Sequence, residues 1–224
     1  MSSITKPAES AMLYKADDIE SRWRERWEAD QLYLTPDDSE KPKWFSLTMY
    51  PYPSGILHIG HWYAFAVPDV FARFQRMRGY NVLFPMGFDA FGLPAENAAI
   101  RNNIHPAEWT FDNIARMRAQ YRQMGAMIDW SREVVTCSPD YYHWNQWIFL
   151  QMLDRGLAYR QAGAVWWCPK DQTVLANEQV LEGNICERCG SEVIKRDLEQ
   201  WYFRITNYVE ELLTELDNLD WPER

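Results

Sequence analysis

Two clusters of residues in this chain have the types and spacing to do chemistry. The first is "YPYPSGILHIGH", Tyr50 to His61, which brings two prolines, two glycines and two of the chain's four histidines together. Gly55 and Gly60 remove side chains where a ligand or another backbone has to come close. His58 and His61 are three apart, so at the start of a helix they share one side of its first turn. Helix starts offer free N–H groups and a positive dipole end, which suit a phosphate. Imidazoles there could donate hydrogen bonds to charge building on a phosphoryl group. Other readings stay open at this point. The pair could ligate a metal, although no carboxylate completes an H-E-x-x-H pattern, or it could simply open a helix.

The second cluster is Cys186 and Cys189, a C-x-x-C, with Cys168 and Asp171 at the same offset. Two such pairs have zinc-ribbon spacing, and aspartate can serve as a zinc ligand. Four protein ligands would leave no position for a reactive water, so a zinc ion held there would be structural. A metal-free knuckle is the alternative. Cys137 stands apart and reads as a small buried residue.

Around these clusters the pattern is that of an α/β protein. Ile19, Trp23 and Trp27 recur four apart on one face of an N-terminal helix. "WFSLTMY", Trp44 to Tyr50, is apolar and bounded by prolines, as expected for a buried parallel strand. The helix after His61 should break or kink at Pro68 and bury Val70, Phe71, Phe74 and Met77, with Gly79 ending it. "YNVLFP" then reads as a short strand ended by Pro85. Strand, glycine-containing loop, helix and strand make a βαβ unit, whose ligands bind beyond the carboxyl ends of the strands. Helical patterns follow over residues 106–127 and 139–156. A turn-rich stretch follows, and helical periodicity returns with Val209, Leu212, Leu213 and Leu216 on its apolar side.

A length of 224 residues with 47% hydrophobic content supports one sizeable core and a small appended module. The net charge of −9 argues against a domain that grips nucleic acid unaided, so phosphate contacts to any nucleic acid would come mainly from elsewhere. No stretch has the length of a membrane span and the N-terminus lacks a signal-peptide pattern, so the expected location is cytoplasmic. In that compartment the cysteines read as metal ligands or free thiols.

"HIGH", His58 to His61, is the signature of class I aminoacyl-tRNA synthetases. Its surroundings, "MYPYPSGILHIGH", "RMRGYNVLFPMGFDAFGLPAENAAI", "WCPKDQTVLANEQV" and "LEQWYFRITNY", resemble the bacterial-type leucyl-tRNA synthetases over nearly the whole chain. The resemblance implies the N-terminal half of a Rossmann-like class I catalytic domain with a small zinc-ribbon-like insertion. It implies leucine activation with ATP and Mg, followed by transfer to tRNA(Leu). His58 and His61 would bind the ATP phosphates and stabilise the transition state of adenylate formation. Pro53, Gly55 and Gly60 would belong to the ATP-facing loop. Asp89 would hold the leucine ammonium group, a natural role for a partly buried carboxylate. Met49, Tyr50 and Tyr52 match positions lining the leucine pocket, with Tyr50 in place of a Phe common there. Gly92 and Glu96 match the same block without a clear role.

The expected division is residues 1–157 for the N-terminal helix and the first half of the nucleotide-binding domain. Residues 158–196 would be the zinc-ribbon-like insertion, and 197–224 a helical return segment leading toward an editing domain. The lysine-bearing KMSKS loop of the class does not occur in these residues. The chain is therefore expected to be inactive alone and to need a complementary chain or domains. Two alternatives remain at this stage: a stand-alone nucleotidylyltransferase with a HIGH-type loop, and a non-catalytic interaction module of synthetase shape.

Overall fold

The computed structural model describes residues 14–221. The chain forms two compact units, Met1–Ser138 and Pro139–Arg224.

In the first unit the order is α1 (Ala16–Ala29), β1 (Lys43–Phe45), α2 (Ile59–Met77), β2 (Asn81–Leu83), β3 (Pro85–Phe88), α3 (Leu93–Asn102), α4 (Pro106–Met124) and β4 (Asp129–Val135). β1 pairs in parallel with β2, Trp44 opposite Val82. β3 pairs in parallel with β4, Pro85 opposite Asp129 and Phe88 opposite Val135. One extended run, residues 81–88, thus gives its first half to β1 and its second half to β4. Its side chains Val82, Phe84, Met86 and Phe88 are buried on Phe65 and Ala72 of α2 and on Ile114, Met117 and Tyr121 of α4. The α4 residues recur at three- and four-residue steps, which is the single buried face of a helix docked on a sheet. Arg73 of α2 ties this packing to the loop after α1: it donates to Asp69, to the Tyr33 hydroxyl and to the Gly125 carbonyl.

Four expectations need correction here. The strand expected over Trp44–Tyr50 stops at Phe45. Ser46 N–H still donates to the Leu83 carbonyl at 2.9 Å. The next rung of a parallel ladder would come from the N–H of residue 85, and Pro85 has none. Pro85 also does not end the apolar run, which resumes at once as β3. α2 runs unbroken through Pro68. A proline cannot donate to the carbonyl four residues back, but the Thr48 hydroxyl supplies the missing partner by donating to the Ala64 carbonyl at 3.3 Å. The buried face of α2 is Phe65, Ala72 and Gln75, whereas Val70 is 67% and Met77 80% exposed and Phe71 and Phe74 are also exposed. The helix carries two apolar stripes, and the sheet takes the one with the small residue Ala72.

The second unit holds α5 (Pro139–Asp154), β5 (Ala158–Cys168), β6 (Thr173–Leu175), β7 (Val180–Leu181), β8 (Ile185–Cys186), β9 (Ile194–Phe203) and α6 (Val209–Thr214). β5 and β9 form a long antiparallel pair, Ala158 opposite Phe203 and Trp167 opposite Ile194, with β6 on the other edge of β5. β7 and β8 form a small hairpin. Residues 197–203 of the expected helical segment are therefore strand. Pairing with β5, including the stacked Tyr159 and Tyr202 rings at 5.6 Å, overrides the local pattern there. A 3-10 turn over Ile205–Tyr208 leads into α-helix only at Val209, and Val209, Leu212, Leu213 and Leu216 are exposed.

Candidate functional site

The chain leaves β1 and crosses to α2 through residues 46–58, past the carboxyl end of β1, where an α/β sheet binds its ligands. His58 is the N-cap of α2, with an extended backbone at φ −128° and ψ 175°. Its Nδ1 accepts the Gly60 N–H at 3.0 Å. His61 Nδ1 in turn accepts the His58 N–H at 3.1 Å, and the two rings lie 4.1 Å apart. A backbone N–H can only donate, so both Nδ1 atoms are unprotonated and each neutral ring carries its proton on Nε2. The first turn of α2 thereby presents two oriented Nε2–H donors, while its Gly60 and His61 N–H groups are already capped by His58. Burial, reinforced by the neighbouring His58, lowers the His61 pKa below the ordinary histidine value, which favours the neutral ring.

The glycines of this turn differ. A Cβ on Gly60 would lie 2.8 Å from His58 Cε1, so the ring occupies the space a side chain would need. A Cβ on Gly55 would meet no atom within 4 Å. Pro51 and Pro53 are buried and set the path of the loop.

Asp89 follows β3 directly. Its N–H donates to the Pro51 carbonyl at 3.0 Å, so the histidine loop and the end of β3 are joined. The Ala90 N–H donates to Thr136 Oγ1 at 2.8 Å, which holds the same turn from the β4 side. Asp89 is half-buried, and among the described residues no cation pairs with its carboxylate. Tyr50 lies across Gly87, where a Cβ would come within 2.8 Å of its ring. Met49 is 79% exposed, which rules it out as a core residue, and Tyr52 is also exposed. Gly92 has φ +114° and starts α3, and Glu96 lies exposed in that helix's first turn.

The loop is also held by two side chains of α4 that the sequence patterns did not single out, Asn113 and Gln120. An open cleft of about 960 Å³ borders His58 on the α1 side, lined by Trp23, Trp27, Trp62 and others; Asp89, Met49 and Tyr52 do not line it.

In the second unit Cys168 ends β5, Asp171 lies in the turn after it, Cys186 ends β8 and Cys189 lies in the next turn. One ligand atom of each falls within 4.8 Å of the other three. Cys168 Sγ and Cys189 Sγ are 3.4 Å apart, and Cys186 Sγ is 3.5 Å from Asp171 Oδ2. The Gly190 N–H returns to the Cys186 carbonyl at 2.9 Å, folding the C-x-x-C into a tight knuckle. Tetrahedral zinc–thiolate bonds place sulfurs ~3.8 Å apart, so the four donors suit one such ion.

Comparison with known proteins gives a concordant result. The family model for tRNA synthetases class I (I, L, M and V) matches residues 22–224. The leucine–tRNA ligase of Herpetosiphon aurantiacus is 59% identical over 215 residues, which is 96% of this chain and 26% of that protein. Those of Dehalococcoides mccartyi and Deinococcus radiodurans are 57% and 59% identical over 211 residues. The chain thus spans about a quarter of the length of these relatives. Among solved structures, a LeuRS of Agrobacterium radiobacter in a ternary complex with tRNA and LeuAMS has a TM-score of 0.86 and 42% identity, over 94% of this chain and 27% of that one. A Mycobacterium tuberculosis methionyl-tRNA synthetase in complex with methionyl-adenylate shares the fold, with a TM-score of 0.64 at 23% identity over 80% of this chain and 35% of that one. The chain belongs to the tRNA synthetases class I (I, L, M and V), and its relatives at 57–59% identity are leucine–tRNA ligases.

Proposed function

We propose that this chain forms the half of a leucine–tRNA ligase active site that takes up ATP and leucine and joins them as an adenylate. The observation that carries the reading is the pair of Nε2–H donors at the start of α2, tied through the Asp89–Pro51 hydrogen bond to a carboxylate without a cationic partner. The leucine carboxylate attacks the α-phosphate of ATP, the bond to the β-phosphate breaks, and pyrophosphate leaves. His58 and His61 donate to phosphate oxygens as charge builds on them. Asp89 receives the leucine ammonium group, so its orientation brings the substrate carboxylate toward the phosphate. Met49, Tyr50 and Tyr52 flank the leucine side chain. Pro53, Gly55 and Gly60 keep the loop narrow enough for ATP to approach its backbone. Magnesium, carried in with ATP, neutralises phosphate charge.

The leucyl group is then passed to tRNA(Leu). With a net charge of −9 on this chain, the main tRNA-phosphate contacts belong to other parts of the enzyme or a complementary chain. Cys168, Asp171, Cys186 and Cys189 would hold a zinc ion that closes the small second core and takes no part in the reaction. Free thiols at such a centre suit the reducing cytoplasm. Among the described residues no helix is long and apolar enough to cross a membrane.

Leucine-dependent ATP–pyrophosphate exchange tests the reading, measured on a ligase of full length that carries these residues. Replacing Asp89 with Ala removes one charge-assisted bond and should raise the leucine KM by roughly tenfold to a hundredfold, with the ATP KM little changed. An unchanged leucine KM would remove Asp89 from the amino-acid site.

A further inference from the structure

The loop that carries the two histidines is held from behind by α4. Asn113 and Gln120 are seven residues apart, two turns along one face of that helix. Asn113, 2% exposed, donates from Nδ2 to the Pro53 carbonyl at 3.2 Å. Gln120 accepts the Leu57 N–H on Oε1 at 3.0 Å. The two amides therefore grip both ends of the segment Ser54–Ile56, which includes Gly55 with its open surroundings. Two helical turns cover about 10.5 Å, and four peptide steps reach at most about 14 Å, so this segment has little slack. The next N–H along, that of His58, is the one His61 Nδ1 accepts. Gln120 thus holds the residue immediately before the first histidine.

We infer that Asn113 and Gln120 are positioning residues for adenylate formation, setting the height of the ATP-facing loop and the placement of the two imidazoles without touching the reacting atoms. The inference rests on reading that loop as part of a leucine–tRNA ligase site. It carries a chemical asymmetry. The Leu57 N–H needs an acceptor, which Glu supplies as well as Gln. The Pro53 carbonyl needs a donor, which an ionised Asp in place of Asn cannot supply.

The test uses a leucine–tRNA ligase of full length carrying these residues. It combines ATP–pyrophosphate exchange with hydrogen–deuterium exchange of residues 53–60 and thermal melting. Gln120→Met should lower turnover by roughly tenfold to a hundredfold, the effect of misplacing groups by an ångström or less. Leucine KM and melting temperature should stay near wild type while residues 53–60 lose protection. Gln120→Glu should restore both turnover and protection, and Asn113→Asp should lose turnover and protection as Gln120→Met does, with a lowered melting temperature because it buries an unpaired carboxylate. Wild-type turnover in Gln120→Met would overturn the inference. So would a Gln120→Glu variant as slow as Gln120→Met, or a Gln120→Met loss that simply tracks a lowered melting temperature. A parent enzyme without leucine-dependent exchange would sink the functional reading and the inference together. An active parent with insensitive variants would sink the inference alone.

Discussion

A methyl group on Gly60 would land 2.8 Å from His58 Cε1, while one on Gly55 would meet nothing within 4 Å. The two glycines, alike in sequence, therefore make different predictions. Gly60→Ala must displace the His58 ring from its bond to the residue-60 N–H and should slow adenylate formation. Gly55→Ala should leave the denaturation midpoint where it is and raise only the KM for ATP, because the space beside Gly55 would be occupied by the nucleotide alone. A Gly55→Ala enzyme with unaltered ATP KM would show that the glycine serves no ligand. His61 adds a pH signature. Its pKa is lowered in the folded state, chiefly by burial, so the unfolded chain binds the proton more readily. Its contribution to stability is present above the unfolded value near 6.5 and is lost as pH falls from there through the lowered folded value. Urea midpoints measured against pH should show this acid-side loss in the wild type and a smaller one in His61→Gln. Parallel curves for the two would contradict it.

α2 shows what an element can hide from its sequence. A proline in mid-helix reads as a break, yet Thr48, twenty residues earlier, donates to the Ala64 carbonyl that Pro68 leaves without its helical partner. Thr48→Val should cost about 0.5–1.5 kcal/mol, the net worth of one hydrogen bond whose acceptor water can still reach. In a Pro68→Ala background, where residue 68 can donate to Ala64 itself, the same change should cost less. Equal losses in the two backgrounds, read from equilibrium denaturation, would show that Thr48 does not compensate for Pro68. The buried face of α2 was illegible for a related reason. Both stripes are apolar, and only the sheet decides which is covered. The length of β1 was equally out of reach, since its end depends on Pro85 in another strand. By contrast, the order of strand, loop and helix was legible, because Pro, Gly and the apolar runs act over a few residues.

At the scale of the whole molecule, the two units rest on different kinds of core. The first buries Phe65, Phe84, Met86, Phe88, Ile114, Met117 and Tyr121 together. The second unit's small core consists of Cys168, Leu175, Cys186 and Val193, so two of its four buried members are prospective metal ligands. Chelation should therefore deprotect residues 166–193 in hydrogen–deuterium exchange and leave residues 82–121 protected. Equal protection with and without chelator would mean that no metal supports the second unit. The convergence of Cys168, Asp171, Cys186 and Cys189 was legible as spacing, because each pair lies within one turn. The α4 clamp was not, since Asn113 and Gln120 meet the loop across 60 and 63 residues of chain. On the proposed function, the start of α2 stabilises the transition state of leucine activation. Single-turnover formation of leucyl adenylate by a His61→Ala ligase of full length measures it most directly. The rate should fall by roughly a hundredfold to a thousandfold, the effect of losing one preorganised donor, with leucine affinity near wild type. An unchanged rate, or a loss confined to leucine affinity, would contradict the account.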